Sequence, residues 1–314
     1  MTSPHDPAAA TPATTPATTS AAPAPELPGE VPDLPAGIGG LDPETPLQYT
    51  REDLDAATAL LERAGTERAG SEDPELIVSL TDEQIAALDG YARRQFIAAP
   101  WLEQHPQQRR FAAGVALRGL IAAEQVRRRT DEATGAQHWR AVPEISGCLV
   151  LRRTAQQFTT AERTVQTAQG PQVHRLHYFA HPGGVLEEEV TAAGIHRFTA
   201  LAPVQASARL AAFLDPLGVP TRAGEPVRVR TSALPAHPLA ERLAATRALS
   251  VLTRVRTADG EVQQLSAYAT AEGVLTMEAL DPGTEDPELE IRGVDAAELH
   301  ALASVLVSAE PQRG

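Results

Sequence analysis

The sequence predicts an α+β protein: two pseudo-symmetric strand-rich units, each closed by a helix, preceded by an N-terminal helical segment and a disordered tail. Three observations carry this. The chain matches itself at a spacing of 89 residues: Leu176-His-Tyr-Phe179-Ala180 answers Leu265-Ser-Ala-Tyr268-Ala269, Gly184-Val185-Leu186 answers Gly273-Val274-Leu275, and Glu189 answers Glu278. From Cys148 onward the pattern alternates apolar and polar residues, the period of half-buried strands. Residues 1–48 hold eleven prolines and six acidic residues with no arginine, a composition too poor in apolar side chains to offset the entropy of ordering. Two copies are too few for a solenoid, which needs at least three, but they suit one body in which each unit covers or extends the other's sheet.

Taken in order, the first element is a helix over 51–64, capped by Thr50, striped by Leu54, Leu60 and Leu61, and stopped at Gly65. Glu75 to Leu80 reads as a strand. Thr81-Asp82-Glu83-Gln84 is a capping box for a helix carrying Ile85, Leu88, Ala92 and Phe96, which Pro100 ends. Pro106 opens another helix, with Phe111, Val115, Leu117, Leu120 and Ile121 on its face. A hairpin follows between 126–129 and 138–142, turning at Gly135. Strands are expected at 148–153, 158–167, 173–180, 185–190 and 196–201, then a helix at 204–214. Residues 216–226 form a linker, 227–231 a strand and 239–247 a short helix. The 89-residue offset, continued into the closing helices, sets Leu210 and Phe213 opposite Leu299 and Leu302. The resulting organisation is a tail at 1–48, a helical segment at 49–125, a first unit at 126–216, a linker with an extra strand at 217–236, and a second unit at 237–308.

Composition excludes several chemistries. All 27 basic residues are arginine, so no P-loop lysine or Schiff-base lysine exists. A single cysteine excludes an intramolecular disulfide and every multi-cysteine zinc site. No GxSxG, GxGxxG in a strand–helix context or HExxH occurs, and no enzyme or cofactor is expected. The start has neither a basic nor an apolar signal region, and no apolar run reaches membrane-spanning length, so a cytoplasmic protein is expected with no membrane partner. The tail's acids leave −8 of the formal −14 on residues 49–314, a balance that favours solubility.

Four groups of residues invite a chemical reading. His174, His177 and His181, followed by Glu187, Glu188 and Glu189, would hold zinc if they were helical. On a strand, His174 and His177 point to opposite faces, and His177 and His181 lie roughly 13 Å apart. No metal is therefore assigned, the histidines are read as strand-surface residues, and the glutamates as a solvated edge. Cys148 sits in an apolar run and reads as core. Residues 109–153 hold nine arginines against four acids, and Arg127, Arg128 and Arg129 open the hairpin as the wing of a winged helix would.

Leu80-Thr81-Asp82-Glu83-Gln84, a helix, a proline and then Val115-Ala-Leu-Arg-Gly119-Leu120 resemble the opening of the EspG family, cytosolic chaperones associated with type VII (ESX) secretion in actinobacteria. The duplicated units, each closing on a helix such as 297–306, are similar to that family's two quasi-symmetric halves. The resemblance covers residues 76–308. It implies a cytosolic binding protein that holds a helical secreted substrate before export, on exposed apolar strand faces or loops. The alternative is a winged-helix regulator binding DNA through Arg127, Arg128 and Arg129.

Overall fold

The computed structural model describes residues 49–66, 74–91, 97–130, 135, 137–219 and 221–309. The expected tail at 1–48 and the helical positions Ala92 and Phe96 lie outside the described residues. The chain is α+β, with a large, wholly antiparallel sheet.

The first half begins with α1 (Arg51–Thr66), β1 (Leu76–Thr81) and α2 (Asp82–Asp89). The capping box forms as the spacing predicts: Gln84 N donates to Thr81 Oγ1 at 3.2 Å, and Thr81 N to Gln84 Oε1 at 2.9 Å. Pro100 does not end a helix but starts one, α3 (Pro100–Gln104), where its missing N–H costs nothing. A 3-10 turn at Pro106–Gln108 leads into α4 (Arg109–Ala122), and the expected hairpin forms as β2 (Val126–Thr130) and β3 (Gln137–Ala141). The strand expected at 148–153 is instead the core of a helix, α5 (Pro143–Thr154). Pro143 at its first position, Glu144 in its first turn and Arg152 and Arg153 in its last outweigh the short apolar run. Then come β4 (Gln157–Thr167), β5 (Gly170–His181), β6 (Gly184–Val190), β7 (Ile195–Leu201) and α6 (Pro203–Leu214).

The second half repeats the plan with less around it: β8 (Val227–Arg230), a 3-10 turn (Thr231–Ala236), α7 (Leu239–Ala244), β9 (Ala248–Arg256), β10 (Val262–Thr270), β11 (Gly273–Ala279), β12 (Glu288–Val294) and α8 (Ala296–Val307). The ten strands run in the order β1-β7-β6-β5-β4-β9-β10-β11-β12-β8. Each half is thus a four-strand meander flanked by its own leading strand, and the halves join where β4 pairs with β9. That register is centred on Ala161 opposite Leu252, with Gln157 opposite Arg256 and Val165 opposite Ala248 at the ends. A local dyad therefore passes through the Ala161–Leu252 pair.

The spacing of 89 holds for β5 and β6 against β10 and β11, but not into the closing helices. β7 and α6 start at 195 and 203, whereas β12 and α8 start at 288 and 296, an offset of 93. The connection 191–194 has grown to 280–287 in the second half. The true counterparts of Leu210 and Phe213 are thus Ala303 and Leu306, and all four are buried.

The two faces of the sheet are covered unequally. On one, α6 and α8 pack side by side over both halves, burying Ala206, Leu210, Leu299 and Ala303 against Ala161, Leu252 and Ala267. On the other, helices α1, α2, α4 and α5 build a second core over the first half only, around Phe179, Leu186 and Phe198. Over the second half this face carries just Leu234, Leu239 and Leu243, packed on Val229, Leu289 and Ile291.

The close crossing of α1 and α5 depends on Gly147. A Cβ there would lie 2.8 Å from Leu60 Cδ1 and 3.1 Å from the Ala56 backbone. Gly147→Val should lower stability by about 1–3 kcal/mol, read as a lower urea midpoint at unchanged m-value.

Candidate functional site

The densest group of ionisable side chains lies beneath the helices of the first half. Alternation along β6 sends Glu188 to the same side as Leu186 and Val190, into the apolar core, where it is fully buried. Two elements bring it partners there, and a third is reached through one of them. From α5, Arg152 Nε donates to Glu188 Oε2 at 2.9 Å. From β7, His196 Nδ1 donates to Glu188 Oε1 at 2.5 Å. The other ring nitrogen, His196 Nε2, donates to Asp82 Oδ1 at 2.6 Å. Asp82 Oδ2 in turn accepts from the Trp101 and Leu102 amides at 2.7 and 3.1 Å, supplying α3 with the N-terminal cap that Ala99 cannot. At the far end, Asp89 accepts from Arg152 at 3.3 Å and pairs with Arg153. Three basic and three acidic side chains thus form one chain linking α2, α3, α5, β6 and β7.

Gly194 completes the arrangement. It has φ of +72°, and a Cβ there would fall 2.7 Å from Asp82 Oδ2, so a side chain is excluded both by the backbone and by the carboxylate. Burial would raise the Glu188 pKa, but the Arg152 charge and the His196 hydrogen bond overcome it and hold it down at about 2. Burial would likewise lower His196, yet its bonds to Asp82 and Glu188 keep it above its ordinary value. With both imidazole nitrogens engaged and no exposed face, this chain offers nothing to a substrate. Its role is to lock helices onto the sheet.

The histidines singled out by sequence do not converge. Among the described residues, no group of three or more potential ligands could hold a metal ion. His174 faces the α6 side of the sheet and lines an open groove. His177 and His181 face the other way, and are buried rather than surface residues because α5 covers them. Neither ring nitrogen of His177 has a hydrogen bond; the ring stacks on Phe158 at 5.9 Å, and burial pushes its pKa down to about 4. His181 Nε2 donates to Leu151 O at 2.9 Å. The glutamates alternate faces and are not the solvated edge expected: Glu187 is also buried and takes a bidentate bond from Arg209 at 2.6–3.0 Å. Cys148 is buried, and burial pushes its thiol up, as befits a core residue.

Arg127, Arg128 and Arg129 stand exposed on β2. Arg127 pairs with Glu124 at 3.1 Å, and Arg128 lies 5.1 Å over the Trp139 ring. The preceding helix, α4, turns Phe111 and Val115 to solvent, each more than half exposed, with Arg110 and Arg118 beside them.

Sequence reasoning missed Asp82 beyond its place in the capping box, and missed Asp89, Arg152 and His196 altogether. A signal existed: Glu188 occupies the inward position of the Leu186–Val190 alternation, and such a charge requires partners.

No helix among the described residues is long and apolar enough to cross a membrane. No protein-family model matches the sequence, and no curated protein matches it. Among solved structures, the chain is similar to the Mycobacterium tuberculosis type VII secretion system chaperone EspG5, solved in complex with the PE25–PPE41 dimer. The likeness is 11% in sequence identity, covers 73% of this chain and 95% of that one, and has a TM-score of 0.46. At that distance neither function nor partner transfers.

Arg152→Met should destabilise the fold by about 3–5 kcal/mol, because Glu188 and Asp89 would lose their shared cation; the urea midpoint reads it. The two buried histidines bend the pH profile in opposite directions. His177, depressed on folding, contributes stability that is complete above its unfolded pKa of about 6.5 and lost as pH falls towards 4. His196, raised on folding, contributes stability that is complete below about 6.5 and lost as pH rises through its folded value. His177→Phe should flatten the acid limb of a stability–pH curve, and His196→Gln the alkaline one.

Proposed function

We propose that the chain is a non-catalytic cytosolic binding protein that holds a helical secretion substrate before export, as its resemblance to the EspG family implies. The observation that supports this reading is an apolar row that leaves the helical cover. Phe179, Phe158, Val255 and Val262 are successive partners across β5, β4, β9 and β10, all on the helix-covered face of the first half. Phe179 is fully buried, Phe158 and Val255 are half-buried, and Val262 is 63% exposed. Leu249 and Val251, also half-buried, point to the same side. Burying each such side chain is worth about 1.5–3 kcal/mol, so an apolar helix tip laid on this strip gains most where the second half carries only the short α7.

The DNA-binding alternative draws on the basic segment 109–153, which includes the Arg127–Arg129 hairpin. The helix before it presents Phe111 and Val115 rather than side chains suited to reading bases.

Co-expression with helical type VII substrates from the same genome tests the proposal. The wild-type chain should keep one of them soluble and co-purify with it. Val262→Asp, at a site too exposed to disturb the fold, should cut recovery at least tenfold, whereas Ala at 127, 128 and 129 should leave it unchanged. A wild-type chain that retains none of these substrates would overturn the reading.

A further inference from the structure

The β4–β5 hairpin is longer than the strand beside it. β5 pairs with β4 along its length, but its pairing with β6 ends where Arg175 meets Val190. Residues 171–174 therefore have a strand on one side only. Their open side faces a groove of about 1120 Å³, walled by α6 through Arg209 and Phe213 and by α3 through Glu103 and Gln104.

The α6 side of this groove carries Arg163, His174 and Arg209, with Glu189 beside them paired to Arg197 at 3.7 Å. Arg209 is paired with Glu187. Arg163, directly opposite His174 in the β4–β5 register, is held 4.3 Å from the Phe213 ring and donates to Phe213 O at 2.8 Å, at the end of α6. Among the described residues, no carboxylate pairs with Arg163 or His174. Among the described residues α3 has no counterpart in the second half, and Gln263, in place of His174, donates to Glu278 at 2.9 Å.

A strand edge flanked by two walls accepts a peptide by backbone pairing, while alternate side chains of the added strand face opposite walls. Those turned towards α6 would meet Arg163 and His174. We propose that this edge is a docking site for an extended acidic segment of a partner polypeptide, which adds as a strand beside residues 171–174 and sets a carboxylate against Arg163 and His174. A second copy of this chain is a poor occupant. Among the described residues its edge strands read LIVSLT, VRRRT, QHWRA and VRVR, none with an acidic residue. The site is independent of the Val255–Val262 strip, so either can fail alone.

The test uses the full chain and a capped hexapeptide alternating glutamate with threonine and valine, followed by fluorescence anisotropy and amide hydrogen exchange. The acidic peptide should bind, protect amides within 172–174, and bind at least tenfold more weakly to Arg163→Gln. Replacing its glutamates with arginine should abolish binding. Methylating its backbone nitrogens, which keeps the charge but blocks pairing, should do the same without altering the protein. Absence of binding at millimolar peptide, equal binding of acidic and basic peptides, or full binding by the methylated peptide would each overturn the proposal.

Discussion

A carboxylate with no access to water is the constraint around which the first half is arranged. Glu188 sits at the inward position of a strand whose other inward residues are aliphatic, and an ion in such a place is tolerated only with close, well-oriented partners. Arg152 and His196 supply them, and each brings a second obligation: Arg152 must also meet Asp89, and His196 must also meet Asp82. Because these residues come from α5, β7 and α2, satisfying one charge fixes the placement of three elements. Asp82 then positions α3 through two backbone amides. Apolar contacts alone would allow these helices to slide over the sheet, whereas directional bonds specify a single seat for each.

The second half shows what the same plan looks like without that chain. Thr276 and Met277 occupy the β11 places that correspond to Glu187 and Glu188, and the short α7 stands where α5 would be. Where no buried charge calls for helical partners, the cover is thin, and half-buried side chains such as Leu249 and Val255 remain near the surface. One half is thus a closed double-sided layer and the other is open on one side. The asymmetry of cover distinguishes the two.

The strands of both meanders, the capping box at Thr81 and the hairpin at 126–141 were legible because period-two alternation and short-range capping are local signals. The repeated strand order was legible too, although the connection between β11 and β12, four residues longer than its counterpart, shifted the last third. The failures share a cause. Cys148–Arg153 is short and apolar, so strand and buried helix look alike until the flanking Pro143 and terminal arginines are weighed. The buried chain was missed because its members come from four distant segments, and each residue alone resembles an ordinary surface charge. Pairing of Asp82 with His196 spans 114 residues, a relation that periodicity does not encode.

The seam between the halves places Ala161 against Leu252 on the local dyad, both fully enclosed beneath α6 and α8. In a homodimer built from one such unit, the residue on the axis would necessarily meet its own copy. Two alanines would leave a void there, and two leucines would crowd it. A single chain escapes that bind, since its two axial positions can mutate separately and settle on one small and one large side chain. Covalent fusion of the halves therefore frees the centre of the sheet to be packed in a way that strict twofold symmetry forbids.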